Sequence, residues 1–212
     1  MVLKLRGFVL ALVPVLLVLG LFGCKSRTPE DIFVAAQKAL NGLESYYAKV
    51  TYIIVDDEEQ REYGFEQWVS MPSSFKIRLT APDSLAGKTI VSDGKEILID
   101  HPKEGDSLRF EAKGLEQQRP LFIGDFLNSF WSSEDVTKRI HLDDDGMEFV
   151  VFACPAPGVY NSACTEELWV YSDKMSPAKL IAYDSEGNVI SLIYFESFNE
   201  DWKPGENFFC ID

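Results

Sequence analysis

The strongest constraint in this chain is an apolar–polar alternation that restarts on either side of short turn signals. In Phe75-Lys76-Ile77-Arg78-Leu79-Thr80 every second residue is apolar. Successive side chains of a strand point to opposite faces, so this run is a strand with one dry face and one wet face. Residues 87–100 read as two further strands folded about Asp93-Gly94. A two-residue hairpin turn favours that pair, because its central residues must reach positive φ. With residues 67–79 just upstream, the three runs describe an antiparallel meander that is apolar on one side only. What covers that side decides the function.

The pattern continues along the chain. Residues 46–55, 63–69, 107–112, 147–153, 167–171, 179–183 and 189–198 are rich in aromatic and β-branched residues, and Asp145-Gly146 and Glu186-Gly187-Asn188 are further turn signals. No strand–helix–strand alternation argues for a parallel sheet. The fold class expected is α+β with a large antiparallel sheet. One helix opens at Thr28-Pro29-Glu30-Asp31, where Thr28 caps, Pro29 suits the first helical position and the acids complement the dipole. Ile32, Ala36, Ala39, Leu40 and Leu43 then share a face. Residues 120–131 break the strand pattern: Leu121, Phe122, Phe126, Leu127, Phe130 and Trp131 recur at helical spacing. This segment reads either as a second core helix on the sheet or as a lid over a cavity.

The N-terminus reads as an address. Lys4 and Arg6 precede an uncharged apolar run from Phe8 to Phe22. That run is shorter than the roughly 20 apolar residues of a membrane span and has the length of a signal-peptide core. It ends Leu21-Phe22-Gly23-Cys24, which resembles the lipobox of bacterial lipoproteins, with Phe22 bulkier than usual there. The expected organisation is a signal peptide over 1–23, a tether over 24–28 and a single domain over 29–212, attached to the membrane through a diacylglyceryl and palmitate anchor on Cys24. Losing residues 1–23, which carry Lys4 and Arg6 and no acid, takes the net charge from −14 to −16 and leaves 189 residues. So acidic a surface repels nucleic acid and anionic lipid head groups. The expected location is the extracytoplasmic side of the cell membrane, or the outer membrane in a cell that has one.

Catalytic chemistry finds no foothold in the sequence. His101 precedes Pro102 at a turn, His141 sits in a strand-like run, and neither has metal-ligand spacing. Asp143-Asp144-Asp145-Gly146 lacks the spaced ligands of a calcium loop. There is no phosphate-binding glycine loop and no nucleophile elbow. The reading is therefore no enzyme, no metal and no cofactor. Cys154 and Cys164 close a short loop between two strand-like runs, which outside the cytoplasm predicts a disulfide. Cys210 is left as a free thiol, an intermolecular link, or the true partner of either.

The run Trp68-Val-Ser-Met-Pro-Ser-Ser-Phe-Lys-Ile77, then Thr89-Ile-Val-Ser-Asp-Gly-Lys-Glu-Ile-Leu98, then His101-Pro102, resembles the LolA/LolB-like lipoprotein-sorting superfamily. The order of elements matches as well. The resemblance implies an unclosed β-barrel, or strongly curved sheet, with an N-terminal helix and a helical insertion lidding a hydrophobic cavity. It implies acyl chains or lipoproteins as ligands, with Trp68, Phe75, Ile77, Ile97, Ile99, Phe126, Phe130 and Trp131 as cavity residues. Leu85 stands near the place where lipidated receptors of the family expose a loop leucine. Met71 stands where the soluble carriers have a functional arginine, which departs from the carrier pattern. A GerS-like germination branch of lipid-anchored relatives implies the alternative function, a non-enzymatic scaffold for another envelope protein such as a cell-wall amidase.

Overall fold

The computed structural model describes residues 27–56, 59–101, 105–113, 121–156 and 163–211. The expected signal peptide over 1–23, Cys24 and the first residues of the expected tether lie outside the described residues. The chain forms α1 (Pro29–Asn41), β1 (Ser45–Val55), β2 (Gln60–Ser70), β3 (Ser74–Ala81), β4 (Thr89–Ser92), β5 (Glu96–His101), β6 (Asp106–Glu111), α2 (Ile123–Ser132), β7 (Thr137–Leu142), β8 (Glu148–Pro155), β9 (Thr165–Tyr171), β10 (Pro177–Tyr183) and β11 (Val189–Asn199).

One 11-stranded antiparallel sheet runs β6-β5-β4-β3-β2-β1-β11-β10-β9-β8-β7. The expected large, unclosed antiparallel sheet with two helices is therefore what the chain builds. Neighbouring strands are consecutive in sequence except at the centre, where β1 pairs with β11 from Tyr47↔Asn199 to Ile54↔Ser191. The two edges, β6 and β7, are also consecutive in sequence but lie at opposite ends of the sheet. The segment joining them carries α2.

Alternation assigns the faces. On β1, Tyr46, Ala48, Val50 and Tyr52 turn inward and are buried. Phe65, Val69, Phe75, Ile77 and Ile97 join them from one half of the sheet, and Val150, Phe152, Leu168, Val170, Leu180 and Ile193 from the other. Both helices lie on this inner face. Helix α1 starts as its sequence predicts: Thr28 and Asp31 form a reciprocal capping box, with Pro29 in the first turn. It buries Ile32, Phe33, Ala36 and Leu40.

Four features differ from the sequence reading. The first hairpin turn centres on Gly94-Lys95, since Ser92 pairs with Ile97. Gly94 has φ +91°, while the Asp93 carboxylate accepts from the Lys95 and Glu96 amides. Strand β7 (TKRIHL) is a full six-residue strand where the sequence shows only a strand-like run around His141, because charges interrupt its alternation. The C-terminal 200–211 segment, which has no period, lies on the outer face, where Phe208 meets Trp68 (6.1 Å between rings) and Trp202 (5.2 Å). Finally, Cys154 and Cys164 are not joined to each other. The β8–β9 register sets Cys154 opposite Glu166. Cys164 is thus a diagonal neighbour, at the roughly 7–8 Å typical of such positions, beyond the usual Cα reach of a disulfide.

Candidate functional site: the inner face and its helix

The inner face of the sheet is where the lipoprotein-sorting resemblance leads one to expect a ligand, and α2 occupies it. The helix forms because Ile123, Phe126, Leu127 and Phe130 recur at i, i+3, i+4 and i+7, and all four are buried. Phe126 and Phe130 stack at 5.9 Å, and Phe130 meets Phe152 edge-on at 5.4 Å. Ahead of the helix, Phe122 lies 4.8 Å from Phe75. Ile123, Phe126, Phe152, Leu168 and Ile193 are each at most 1 % exposed. Beside Phe75 and Phe122 the remaining space is about 10 Å³, room for one water at most.

Of the expected cavity residues, Phe75, Ile77, Ile97, Ile99, Phe126 and Phe130 fall in one apolar cluster. Trp68 does not. It alternates to the outer face, against Tyr47 at 5.3 Å and under the Arg78 guanidinium. Trp131 does not either: it lies 46 % exposed on the far side of α2, edge-on to Phe130. Leu85 is half-buried in a turn that folds back on β3 through Gly87 N–H to the Leu79 carbonyl. Met71 packs against the start of α2, and a β-carbon on Gly124 would lie 3.0 Å from its sulfur. A thioether thus seats the helix where the carrier pattern has a cation.

The polar groups around α2 are not ones the sequence singles out. Tyr46 is fully buried, and its hydroxyl accepts from Gln67 Nε2 at 3.4 Å. Burial pushes that hydroxyl's pKa up, the Ile123 backbone N–H at the start of α2 works the other way, and the Asp125 carboxyl adds to the rise. Glu166 on β9 is 5 % exposed on the same face, and burial followed by the charge of Asp125 pushes it up to about 7. Its neighbour Cys154 is pushed up to about 12, by burial and then by Glu166. Such a thiol is inert at neutral pH. A polar residue in a strand whose inward neighbours, Leu168 and Val170, are apolar was the available signal for Glu166.

The outer face carries a second cluster: Phe149, Val151, Trp169, Ala178 and Ile181. Glu167 organises its rim, accepting from Arg139 at 2.7 and 3.0 Å, from Trp169 Nε1 at 3.0 Å and from Tyr183 Oη at 3.2 Å. Burial works against its charge, yet these donors hold its carboxyl below the usual range. Lys179 covers the Trp169 ring at 3.8 Å. Among the described residues no group of three or more His, Cys, Asp or Glu is arranged to hold a metal ion. No helix among them is long and apolar enough to cross a membrane.

A curated relative, Sporulation protein YdcC of Bacillus subtilis (strain 168), is 24 % identical over 199 residues, which are 91 % of this chain. The match covers 56 % of that relative's own length. Among solved structures, an uncharacterized conserved protein from Thermus thermophilus has a TM-score of 0.54 at 12 % identity, over 86 % of this chain and 93 % of that one. The GerS lipoprotein–CwlD amidase complex of Clostridioides difficile matches at 0.46 and 22 %, over 87 % and 100 %. A LolA superfamily protein of Nitrosomonas europaea matches at 0.41 and 15 %, over 86 % and 98 %. The fold expected from the lipoprotein-sorting resemblance, an open antiparallel sheet with two helices, is the fold observed. The family model described as sporulation protein YdcC-like matches residues 4–209, nearly the whole sequence, and the chain belongs to that family.

Proposed function

We propose that this chain is a non-enzymatic, lipid-anchored protein of the extracytoplasmic envelope, working as a scaffold that docks another envelope protein. The observation that carries the reading is the filled inner face. A carrier needs an apolar space that a ligand can enter, whereas here Ile123, Phe126, Leu127 and Phe130 already fill it from within the chain. What remains for recognition is the outer surface and the rims. The lipobox-like sequence at Cys24 supports the anchor, and membership of a sporulation family supports an envelope partner. A cell-wall amidase of spore germination is the first partner class to test. Native mass spectrometry of the purified protein tests the reading: it predicts no bound lipid, and a stoichiometric complex when the amidase is added. Co-purified acyl lipid would overturn it.

A second reading, acyl-chain or lipoprotein binding, has one observation in its favour. Helix α2 has no side-chain cap at its start, and Asp125 and Glu166 place acids within its seat. A helix held partly by such groups is a removable plug, and its departure would bare an apolar trough. Uptake of a fluorescent fatty-acid analogue by the wild-type protein would favour this reading.

A further inference from the structure

Three large apolar side chains stand exposed at one end of the molecule: Val34 on α1 (55 %), Trp131 at the end of α2 (46 %) and Val136 just before β7 (37 %). A chain of contacts links the residues beside them. Lys138 donates to Glu30 at 3.2 Å and lies 4.8 Å over the ring of Phe33, the residue before Val34. Lys138 is also the cross-strand partner of Phe152, which meets Phe130, and Phe130 meets Trp131 at 4.9 Å. Val136 lies two residues before Lys138. This end of the molecule is also where the chain enters the fold at Thr28.

We propose that Trp131, Val34 and Val136 form a membrane-contact surface that rests on a bilayer with neutral, zwitterionic head groups. The inference rests on the anchor reading above. Thr28 is four residues on from Cys24 in sequence, a reach of at most about 14 Å. The helical rise from Pro29 to Val34 adds about 8 Å. With the acyl chains of Cys24 in the leaflet, this end of the molecule cannot leave the neighbourhood of the head groups. Tryptophan is the side chain that best suits that layer, with an apolar body and one polar tip. Charge decides the lipid class. Glu30, Asp31, Glu134 and Asp135 neighbour the patch in sequence, against two cations, Lys138, which pairs with Glu30, and Arg27, which acts on Asp31. Anionic lipid is therefore disfavoured, and the contact is apolar rather than electrostatic.

The test uses the full acylated protein, with its acylation verified by intact mass, reconstituted in phosphatidylcholine vesicles with brominated acyl chains. Trp131 is one of four tryptophans, so bromine contact should remove about a quarter of the emission. That quenching should vanish in Trp131→Phe, persist at about 1 M salt, and fall when anionic lipid replaces phosphatidylcholine. The double variant Val34→Ser/Val136→Ser, which keeps Trp131 in place, should reduce it at least twofold. Equal quenching in wild type and Trp131→Phe, or none in an acylated wild type, overturns the proposal while leaving the anchor standing. Protection of Trp131 only on adding a protein partner overturns it too. A mass with no acyl group on Cys24 removes both.

Discussion

Replacing Phe130 with alanine asks directly whether the inner face is a core or a ligand site. Phe130 is 5 % exposed and touches Phe126, Trp131 and Phe152. Truncation forfeits the transfer energy of a buried ring, about 1.5–3 kcal/mol. It also leaves a hole of roughly 100 Å³, which at about 24 cal/mol per Å³ costs about 2.4 kcal/mol if nothing collapses into it. The sum falls close to the roughly 3–5 kcal/mol typical of Phe→Ala in a packed core. For a domain of this size each kcal/mol moves Tm by about 2–4 °C, so a fall of roughly 10 °C or more is expected. The paired assay is thermal melting of both proteins, with titration of the wild type by a fluorescent fatty-acid analogue. A loss below about 1 kcal/mol, far under the packed-core range, together with probe uptake that Phe130→Ala weakens, would refute the packed-core argument and turn the residue into a cavity wall.

Glu166→Gln should remove a pH dependence. The folded carboxyl titrates at about 7, above its ordinary range, so the folded state holds a proton that the unfolded chain has lost. Stability from this group is thus present below about pH 4.5 and declines up to about pH 7, by roughly 3 kcal/mol; the variant should gain on the wild type between melts at pH 5 and pH 8, and an unchanged difference would count against the buried acid. Glu167→Ala strips acceptors from Trp169 Nε1, Tyr183 Oη and Arg139, and should cost about 2–3 kcal/mol in urea titration. Gly94→Ala should cost at least about 1 kcal/mol, since φ is +91° and the new β-carbon would collide with Ser73 Oγ; a neutral urea midpoint would argue against that turn. Cys24→Ser should abolish metabolic labelling by a fatty acid, and label retained would remove the anchor.

Much of the fold is legible in the sequence because the physics that builds it is local. A period of two fixes which side of a strand is dry, and Thr28 with Asp31 fixes where α1 begins. The apolar spacing from Ile123 to Phe130 fixes α2 as a helix but does not say whether it covers a space or fills it. That depends on how tightly eleven strands curl, a collective property of the sheet. Reading the Trp68 motif as a unit puts that residue on the wrong face; its own alternation with Gln67 and Val69, both buried inward, places it outside. Glu166 escapes notice because a carboxylate set between Thr165 and Glu167 has the local pattern of a solvated residue. The aromatic tail of Trp202, Phe208 and Phe209 has no period to read, and its place depends on the platform made by Trp68.

The pairing of β1 with β11 has a consequence for how the molecule is born. These strands are the first and the last of the sheet, and their hydrogen bonds join its two halves. When β1 emerges it finds β2 within a few residues, but its other edge stays open until residues 189–199 have been made. Closing so long a loop is entropically slow, and contacts this distant in sequence slow folding overall. Until then, both halves present open strand edges beside bare apolar faces, which invites pairing with other chains. A sheet of this design therefore depends on its final strand: deleting only β11 should leave two unjoined meanders and a product cleared by proteases.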